Sequence, residues 1–210
     1  MEFRPYDTLL KEGEDELVIK KSRFIAAACP VETEEEALAY LARRRELHPG
    51  ANHTCFAYIL GPNMGVMRYS DDGEPGGTAG MPIIETLRAR RVTNCVAAVT
   101  RYFGGILLGA GGLTRAYASS AAAAVNAAGT GTVWPTKTLL LDVPYPLLSR
   151  VEYFLAHRDD CLTQEKSFTD SVTFTLLVRS RDEEDFCRSV ADLTNGSCEP
   201  VPVEEAYRPW

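Results

Sequence analysis

The sequence predicts an α+β protein of two domains, and three observations support this. Along residues 1–130 the spacing of apolar residues gives the element order ββαββαβα. Near residue 129 an alanine-rich helical run gives way to alternating glycine and threonine, and glycines of this kind end helices. Beyond it the order is βαββαβ, which is typical of a ferredoxin-like sandwich. We therefore expect an N-terminal domain at 1–130, a linker at 131–136, a C-terminal domain at 137–204 and a tail at 205–210.

The elements of the first domain follow from apolar runs, helix caps and turn residues. Thr33 and Glu36 form a capping-box pattern before a helix at 34–47, and Pro49-Gly50 ends that helix. Pro82 is acceptable in the first turn of a second helix, where the amides have no intrahelical partner. Strands are expected at 17–19, 23–29, 54–60, 66–69 and 92–100, and further helices at 78–90 and up to residue 128.

The apolar residues of the second domain also recur with the spacing of strands and helices, in a simpler order of elements. Val172, Phe174, Leu176 and Val178 alternate with other residues, as in a strand with one buried face. Pro146 opens a helix with an apolar stripe. Strands are expected at 136–143, 161–166, 172–179 and 197–203, with a second helix at 182–194.

The composition is that of a globular protein without a membrane span. The chain has 210 residues, 45% of them hydrophobic, and no apolar run approaches the roughly 20 residues that a spanning helix needs. The acidic first sixteen residues lack the apolar region of a secretory signal, so we expect a cytoplasmic protein with six reduced cysteines. No two of these cysteines form a C-x-x-C pair, which leaves a zinc ribbon without support.

The net charge of −7 argues against a protein coated with nucleic-acid-binding charge. Residues 1–130 carry 14 Lys and Arg against 15 Asp and Glu, whereas residues 131–210 carry 8 against 14. A basic surface must therefore be local and lie mainly in the first domain. Arginine clusters at 43–45 and 88–91 are candidates, although basic residues at a helix end also complement the helix dipole.

Two glycine-rich segments, 70–80 and 101–115, each lead from a predicted strand into a helix. Glycines let the backbone approach a partner closely and helix-start amides favour anions, so phosphate is the expected ligand, unless the glycines serve only tight turns and packing. Arginines add positive charge there, and Tyr102 or Phe103 could stack on a base. The candidate anion-binding residues are Gly76, Gly77, Thr78, Arg101, Tyr102, Phe103, Gly104, Gly105, Gly109, Gly111, Gly112 and Arg115.

Polar side chains near the first glycine-rich segment form a second candidate group: His53, Cys55, Ser70, Asp71, Asp72 and Glu74. The carboxylates could bind a divalent cation, but their spacing is not that of an EF-hand, and acidic residues beside glycine are ordinary turn residues. His53 and Cys55 could form a nucleophile pair, but side chains two apart on a strand run parallel. We therefore assign no catalytic residue and no metal ligand.

Several of these stretches resemble the IMPACT/YigZ family. They are His53-Thr-Cys55-Phe-Ala57-Tyr58, residues 70–80 and residues 100–117, while Lys20-Lys-Ser-Arg-Phe24 matches the usual opening of the family. The resemblance covers most of residues 15–130, and the second domain resembles the C-terminal domain of bacterial, YigZ-type members by its organisation. Thr114 is a departure, because an aliphatic residue is commoner there.

The resemblance implies a fold for each domain and a role near translation. The first domain is expected to be similar to the second domain of ribosomal small-subunit protein five and to domain four of elongation factor G. The second is expected to be similar to the last, ferredoxin-like domain of that factor. Bacterial members are proposed nucleic-acid or ribosome binders, and the family defines no catalytic roles to transfer to this chain.

We therefore expect a non-enzymatic protein that binds RNA or the ribosome and regulates translation, with no cofactor and no membrane partner. One alternative is an enzyme that uses the glycine-rich anion pocket, either for kinase-like phosphate chemistry or as a thiol hydrolase. Another is an adaptor that contacts only proteins. RNA binding would weaken with added salt, whereas nucleotide turnover would indicate the kinase-like enzyme.

Overall fold

The computed structural model describes residues 4–210, which form two compact units. One unit is residues 5–132, and the other is residues 133–210 together with Arg4. Both contain helices and strands, so the chain is an α+β protein as predicted. Among the residues described, no helix is both long and apolar enough to cross a membrane.

The first unit contains an antiparallel sheet of five strands and three helices. A short strand that the sequence analysis does not predict, β1 (Tyr6–Leu9), comes before them. The sheet strands are β2 (Gly13–Ile19), β3 (Ser22–Pro30), β4 (His53–Leu60), β5 (Val66–Ser70) and β6 (Cys95–Tyr102), and the helices are α1 (Glu34–Leu47), α2 (Gly80–Ala89) and α3 (Ala110–Ala128). The strand order β2-β3-β6-β4-β5 places β6 at the centre, between β3 and β4.

Different helices cover the two faces of this sheet. Because successive strand residues point to opposite faces, Phe24 and Ala26 pack in one core with α2 and α3, whereas Ala27 packs in another with α1. Burial on both faces explains why β3 and β6 read as continuous apolar runs. On the α3 side the fully buried ring of Tyr117 meets Phe24 edge to face, with 5.3 Å between ring centroids.

The N-terminus of α1 carries the cap that the sequence predicts, with one difference. Thr33 Oγ1 accepts a hydrogen bond from the Glu36 amide at 3.2 Å, as expected for a capping box. The Glu36 carboxylate, however, accepts from the amide of Glu32 at 2.7 Å, one residue before the cap. Local side chains therefore accept hydrogen bonds from one amide inside the first turn of α1 and from one amide before it.

The second unit has the predicted βαββαβ order. Its strands are β7 (Thr130–Val143), which begins at the last residues of the first unit, β8 (Cys161–Phe168), β9 (Val172–Arg179) and β10 (Val201–Pro209), and its helices are α4 (Leu148–Ala156) and α5 (Glu183–Thr194). The strand order β10-β7-β9-β8 is antiparallel throughout. Phe174 packs in one core with Val151 of α4 and Phe186 of α5, so both helices cover the same face.

The structure differs from the prediction at the linker and at the tail. Residues 131–136, predicted as a linker, lie within β7, and residues 205–209, predicted as a tail, lie within β10. Residues 133–136 pair with residues 206–209, and Thr136 Oγ1 donates to the carbonyl of Ala206 at 2.8 Å. Glycine and threonine indicate a loop locally, but pairing with strands distant in the sequence supplies the hydrogen bonds that make β7 a strand. The likeness to named ribosomal-protein and elongation-factor domains stays a prediction.

Candidate functional site

A pocket of about 440 Å³ opens in the first unit, beside the start of α3. It is lined by residues 52–53, 73–75, 101, 103, 107–110 and 113. The pocket therefore brings together His53, Glu74 and the second glycine-rich segment, which the sequence analysis singled out separately. Its volume is within the range of small-molecule and nucleotide sites.

The floor of the pocket is a buried ion pair between Arg101 and Glu74. Arg101 Nη1 lies 2.6 Å from Glu74 Oε1, and the two side chains are only 6% and 3% exposed. The same carboxylate oxygen accepts from Tyr117 Oη at 2.7 Å. Burial raises the pKa of Tyr117 well above its usual range, so this hydroxyl stays protonated and donates.

Arg101 does not occupy the place predicted for a phosphate ligand. It lies within β6, opposite Phe24 on β3 and His53 on β4, and so faces the interior of the fold. Its guanidinium lies 5.4 Å from the ring centroids of both Phe24 and Phe103. With its charge already paired to Glu74, Arg101 helps to build the pocket instead of meeting phosphate at the surface.

The first glycine-rich segment also differs from the prediction, because its helix-start amides are already used. Asp71 accepts hydrogen bonds from Gly77 (2.8 Å), Ala79 (3.0 Å) and Gly80 (2.8 Å). Burial alone would raise the pKa of Asp71, but these amides outweigh it and hold the pKa below its usual value. The start of α2 is therefore neutralised by the chain's own carboxylate, and an external phosphate would meet like charge there.

The other polar residues of this segment have structural contacts as well. Asp72 Oδ2 accepts from the Thr54 amide at 2.6 Å, Ser70 Oγ accepts from the Asp72 amide at 3.1 Å, and Thr78 Oγ1 donates to the Pro75 carbonyl at 2.6 Å. Within residues 4–210 no three His, Cys, Asp or Glu side chains are grouped so that they could hold a metal ion. Of the carboxylates predicted as possible cation ligands, Asp71 and Asp72 thus hold the turn together and Glu74 pairs with Arg101.

The second glycine-rich segment leaves its helix start open. Gly109 precedes α3 with φ +73, and no side chain caps the helix. The first-turn amides of this 19-residue helix are therefore available to an anion. Arg115 lies in the second turn of α3, is exposed and forms no ion pair with a described residue. A Cβ at Gly111 would lie 3.6 Å from Arg115 Nη1, which places the guanidinium beside the open amides.

Apolar side chains form the mouth of the pocket. Phe103 is 45% exposed and Leu107 is 82% exposed, and both line it. The segment is positioned by polar contacts to its backbone: the Phe103 amide donates to Asn52 Oδ1 at 2.8 Å and the Gly104 amide to Ser22 Oγ at 3.1 Å. Gly104 lies against the Lys21 backbone so closely that an added Cβ would be 2.0 Å from a carbonyl carbon.

Tyr102 lies outside the pocket, unlike Phe103. Its hydroxyl is 3.2 Å from His48 Nδ1, and Arg23 lies over its ring. Consecutive strand residues point to opposite faces, so Tyr102 faces the α1 side while Arg101 faces the pocket. Of the two aromatic residues predicted to stack on a base, only Phe103 is placed to do so at this site.

His53 and Cys55 do not form a nucleophile pair. His53 Nδ1 donates to the carbonyl of Asp72 at 2.8 Å, and Cys55 Sγ donates to the carbonyl of Asp71 at 3.0 Å. Burial raises the pKa of the Cys55 thiol to about 12. A thiol with this pKa is protonated at neutral pH, which disfavours the thiol-hydrolase alternative.

Sequence reasoning missed three residues that build the site: Ser22, Asn52 and Tyr117. Each acts through a contact with a residue distant in the sequence, and the motifs that contain Ser22 and Tyr117 do not indicate these contacts. The sequence analysis places Lys20 and Lys21 between two strands and in the family's opening motif without a role in the site, yet the backbone of Lys21 supports the segment at Gly104. The arginine cluster 88–91, by contrast, does not line the pocket, and Arg88 pairs with Glu85.

Comparison with known proteins gives the same division into two parts. The Impact N-terminal domain matches residues 20–125, and a domain of unknown function, DUF1949, matches residues 141–197. The chain is 38% identical over 202 residues to IMPACT family member YvyE of Bacillus subtilis, covering 96% of this chain and 93% of that protein. It is 34% identical over 192 residues to IMPACT family member YigZ of Escherichia coli, covering 89% and 92%.

A solved structure is similar to this chain over nearly the whole length of both. A crystal structure described as that of a hypothetical protein aligns with a TM-score of 0.62 and 31% identity, covering 95% of this chain and 98% of that one. This chain and these relatives are thus alike in sequence and over most of their length. The chain belongs to the IMPACT family.

Proposed function

We propose that the chain is a non-catalytic protein that binds single-stranded RNA of the translation apparatus through the pocket of its first unit, and that it regulates translation in this way. The observation that carries the proposal is the pairing of an exposed aromatic mouth at Phe103 with the uncapped start of α3 beside Arg115. Unstacked bases of RNA stack on exposed aromatic rings, and backbone phosphates bind helix N-termini and arginines. The site offers both kinds of contact a few residues apart.

The charge distribution supports a small phosphate footprint. The first unit is close to neutral, so only local cations can contribute to binding. Besides Arg115, these are Lys20 and Lys21, exposed on the turn that supports Gly104. The backbone of both lysines is left-handed, with φ 45 for Lys20 and φ 67 for Lys21, a conformation that residues other than glycine rarely adopt. With about three phosphate contacts, affinity for single strands should fall with salt at a log–log slope near −2.

The place in translation rests on the family resemblance, which implies nucleic-acid or ribosome binding. The second domain contributes differently, because residues 131–210 carry 14 acidic against 8 basic side chains. Such a surface repels backbone phosphate, so we assign it to orienting the first domain or to a protein contact. No cofactor is needed for either role.

Fluorescence anisotropy with a labelled single-stranded RNA of ten to fifteen nucleotides tests the proposal. We expect Phe103→Ala and Arg115→Ala each to weaken binding at least fivefold, since each removes one stacking or phosphate contact. Arg45→Ala is the matched control: it removes an exposed arginine of α1, on the opposite face of the sheet, and should leave affinity unchanged. If all three variants bind like the wild type, the site is elsewhere.

Two further measurements separate the alternatives. Co-sedimentation with ribosomes from cell extract should depend on Phe103 and Arg115 in the same way as RNA binding. Turnover of ATP by the purified chain would replace the proposal with the kinase-like enzyme. Ribosome binding that survives both substitutions and added salt would indicate an adaptor that contacts only proteins.

A further inference from the structure

The floor of the pocket holds a carboxylate oxygen that has no partner within the described chain. Glu74 Oε1 accepts from both Arg101 and Tyr117, but no described residue donates to Oε2. The side chain is 3% exposed and lines the pocket. Glu74 Oε2 is not among the fully buried atoms that lack a partner, so this oxygen reaches the pocket and is free to accept a hydrogen bond from a ligand there.

His53 presents a second acceptor to the same pocket. A carbonyl can only accept, so the hydrogen bond from Nδ1 to the Asp72 carbonyl places a proton on Nδ1. In the neutral imidazole the other ring nitrogen, Nε2, then carries a lone pair. No described residue donates to Nε2, and His53 lines the pocket.

Asn52 adds one donor at the mouth. Its Oδ1 accepts from the Phe103 amide, which fixes the orientation of the side-chain amide and leaves Nδ2 with no acceptor among the described residues. The polar groups that a ligand would meet are therefore two acceptors, on Glu74 and His53, and one donor, on Asn52. Phe103, Leu108 and Leu113 supply apolar walls for a flat ring.

This pattern selects among the four RNA bases by their Watson–Crick edges. Guanine has two donors, N1–H and the N2 amino group, next to one acceptor, O6. Uracil has a single donor between two acceptors, and adenine and cytosine each have one amino donor beside an acceptor nitrogen. We propose, on the basis of the RNA-binding function above, that the pocket recognises a guanine of single-stranded RNA through Glu74 Oε2, His53 Nε2 and Asn52 Nδ2.

The test uses the intact wild-type chain and four labelled decamers of uridine that carry G, inosine, A or U at one central position. We expect the G decamer to bind about tenfold more tightly than the A and U decamers. The inosine decamer, whose base lacks only the N2 amino group of guanine, should bind several-fold more weakly than the G decamer. Free GMP should compete poorly, because it lacks neighbouring nucleotides; displacement of the decamer at equal concentration would assign the pocket to a mononucleotide and overturn the RNA proposal.

A pair of histidine variants assigns the preference to this pocket. His53→Phe keeps an aromatic ring and removes Nε2, and should reduce the G-over-A ratio at least threefold. His157→Phe is the control, because His157 also donates from Nδ1 to a backbone carbonyl (Tyr153, 2.7 Å) but lies in the second unit. Circular dichroism of both variants checks that they fold.

The outcomes separate the two proposals. If RNA binds but all four decamers have equal affinity, the guanine inference is wrong and the RNA-binding function stands. If G is preferred and His53→Phe leaves the ratio unchanged, guanine is read elsewhere and the assignment to this pocket is wrong. If no decamer binds, the proposed function and the inference both fail.

Discussion

Arg101 and Glu74 form an ion pair beneath the pocket, with Nη1 and Oε1 2.6 Å apart and both side chains more than nine-tenths buried. The pair joins the centre of the sheet to the first glycine-rich segment, because Arg101 lies on β6 and Glu74 lies between β5 and α2. The pocket floor is therefore part of the folded core of the first unit, and its charge is compensated internally.

Breaking this pair should destabilise the first unit strongly. Glu74→Ala leaves a buried guanidinium without its partner, and we expect a loss of about 3–5 kcal/mol in the free energy of unfolding. Urea unfolding followed by circular dichroism measures it; tryptophan fluorescence does not, since Trp134 and Trp210 both lie in the second unit.

Glu85→Ala is the matched control for Glu74→Ala. Glu85 also pairs with an arginine at 2.6 Å, but its side chain is 52% exposed. An exposed pair of this kind contributes at most about 1 kcal/mol. Equal losses in the two variants would contradict the account of a buried, structural ion pair.

Asp71 should make stability depend on acid pH. Its pKa is lowered in the folded chain, so the unfolded state binds the proton more readily, and the stabilisation is complete above about pH 5 and is lost as the pH falls below about 4. We expect Asp71→Asn to lose about 1–2 kcal/mol at pH 7 and to show a shallower fall in stability between pH 5 and pH 2. Asp15→Asn changes an exposed carboxylate of the same unit and is the control at pH 7, where it should change the free energy of unfolding by at most about 0.5 kcal/mol.

Cys55 should be among the least reactive cysteines of the native protein. It is buried and its pKa is raised to about 12, whereas Cys29 and Cys187 are partly exposed. A short pulse of iodoacetamide at pH 8, followed by peptide mass spectrometry, should label Cys29 and Cys187 first and Cys55 only on unfolding. Preferential labelling of Cys55 in the native protein would revive the thiol-hydrolase alternative.

The segment that carries Phe103 should depend on the absence of a side chain at Gly104. A Cβ there would lie 2.0 Å from the Lys21 backbone, so Gly104→Ala should cost about 1–3 kcal/mol and displace Phe103, reducing RNA affinity. Gly76→Ala is the control, because nothing lies within 4 Å of its Cβ position and its φ is not positive. The free energy of unfolding of that variant should differ from that of the wild type by at most about 0.5 kcal/mol.

Periodicity predicts most of the helices and strands, and the errors have a common origin. The sequence predicts a strand ending at Thr100, whereas β6 extends to Tyr102. This difference of two residues moves Arg101 from a surface loop into the sheet, opposite Phe24. No local signal could show it, because Arg101 is held there by Glu74 and Ser22, which lie 27 and 79 residues away along the chain.

The role of Asp71 could not be predicted for the same reason. Capping patterns place the capping residue next to the helix, but Asp71 accepts from the Gly80 amide nine residues later. Its neighbours Asp72 and Gly73 instead indicate an ordinary turn. The glycines at 109–112, in contrast, lie at a helix start without a side-chain cap, as the local sequence predicts, and their anion binding stays a prediction.

Photo-crosslinking tests most directly whether RNA lies in this pocket. A single-stranded RNA containing 4-thiouridine beside the central guanine would be irradiated with the wild-type chain, digested with trypsin and mapped by mass spectrometry. Cleavage after Arg101 and Arg115 isolates peptide 102–115, which carries the mouth of the pocket and the start of α3. We predict that most adducts lie on this peptide and fewer on the turn at Lys20 and Lys21. Adducts confined to the second unit or to α1 would contradict the account.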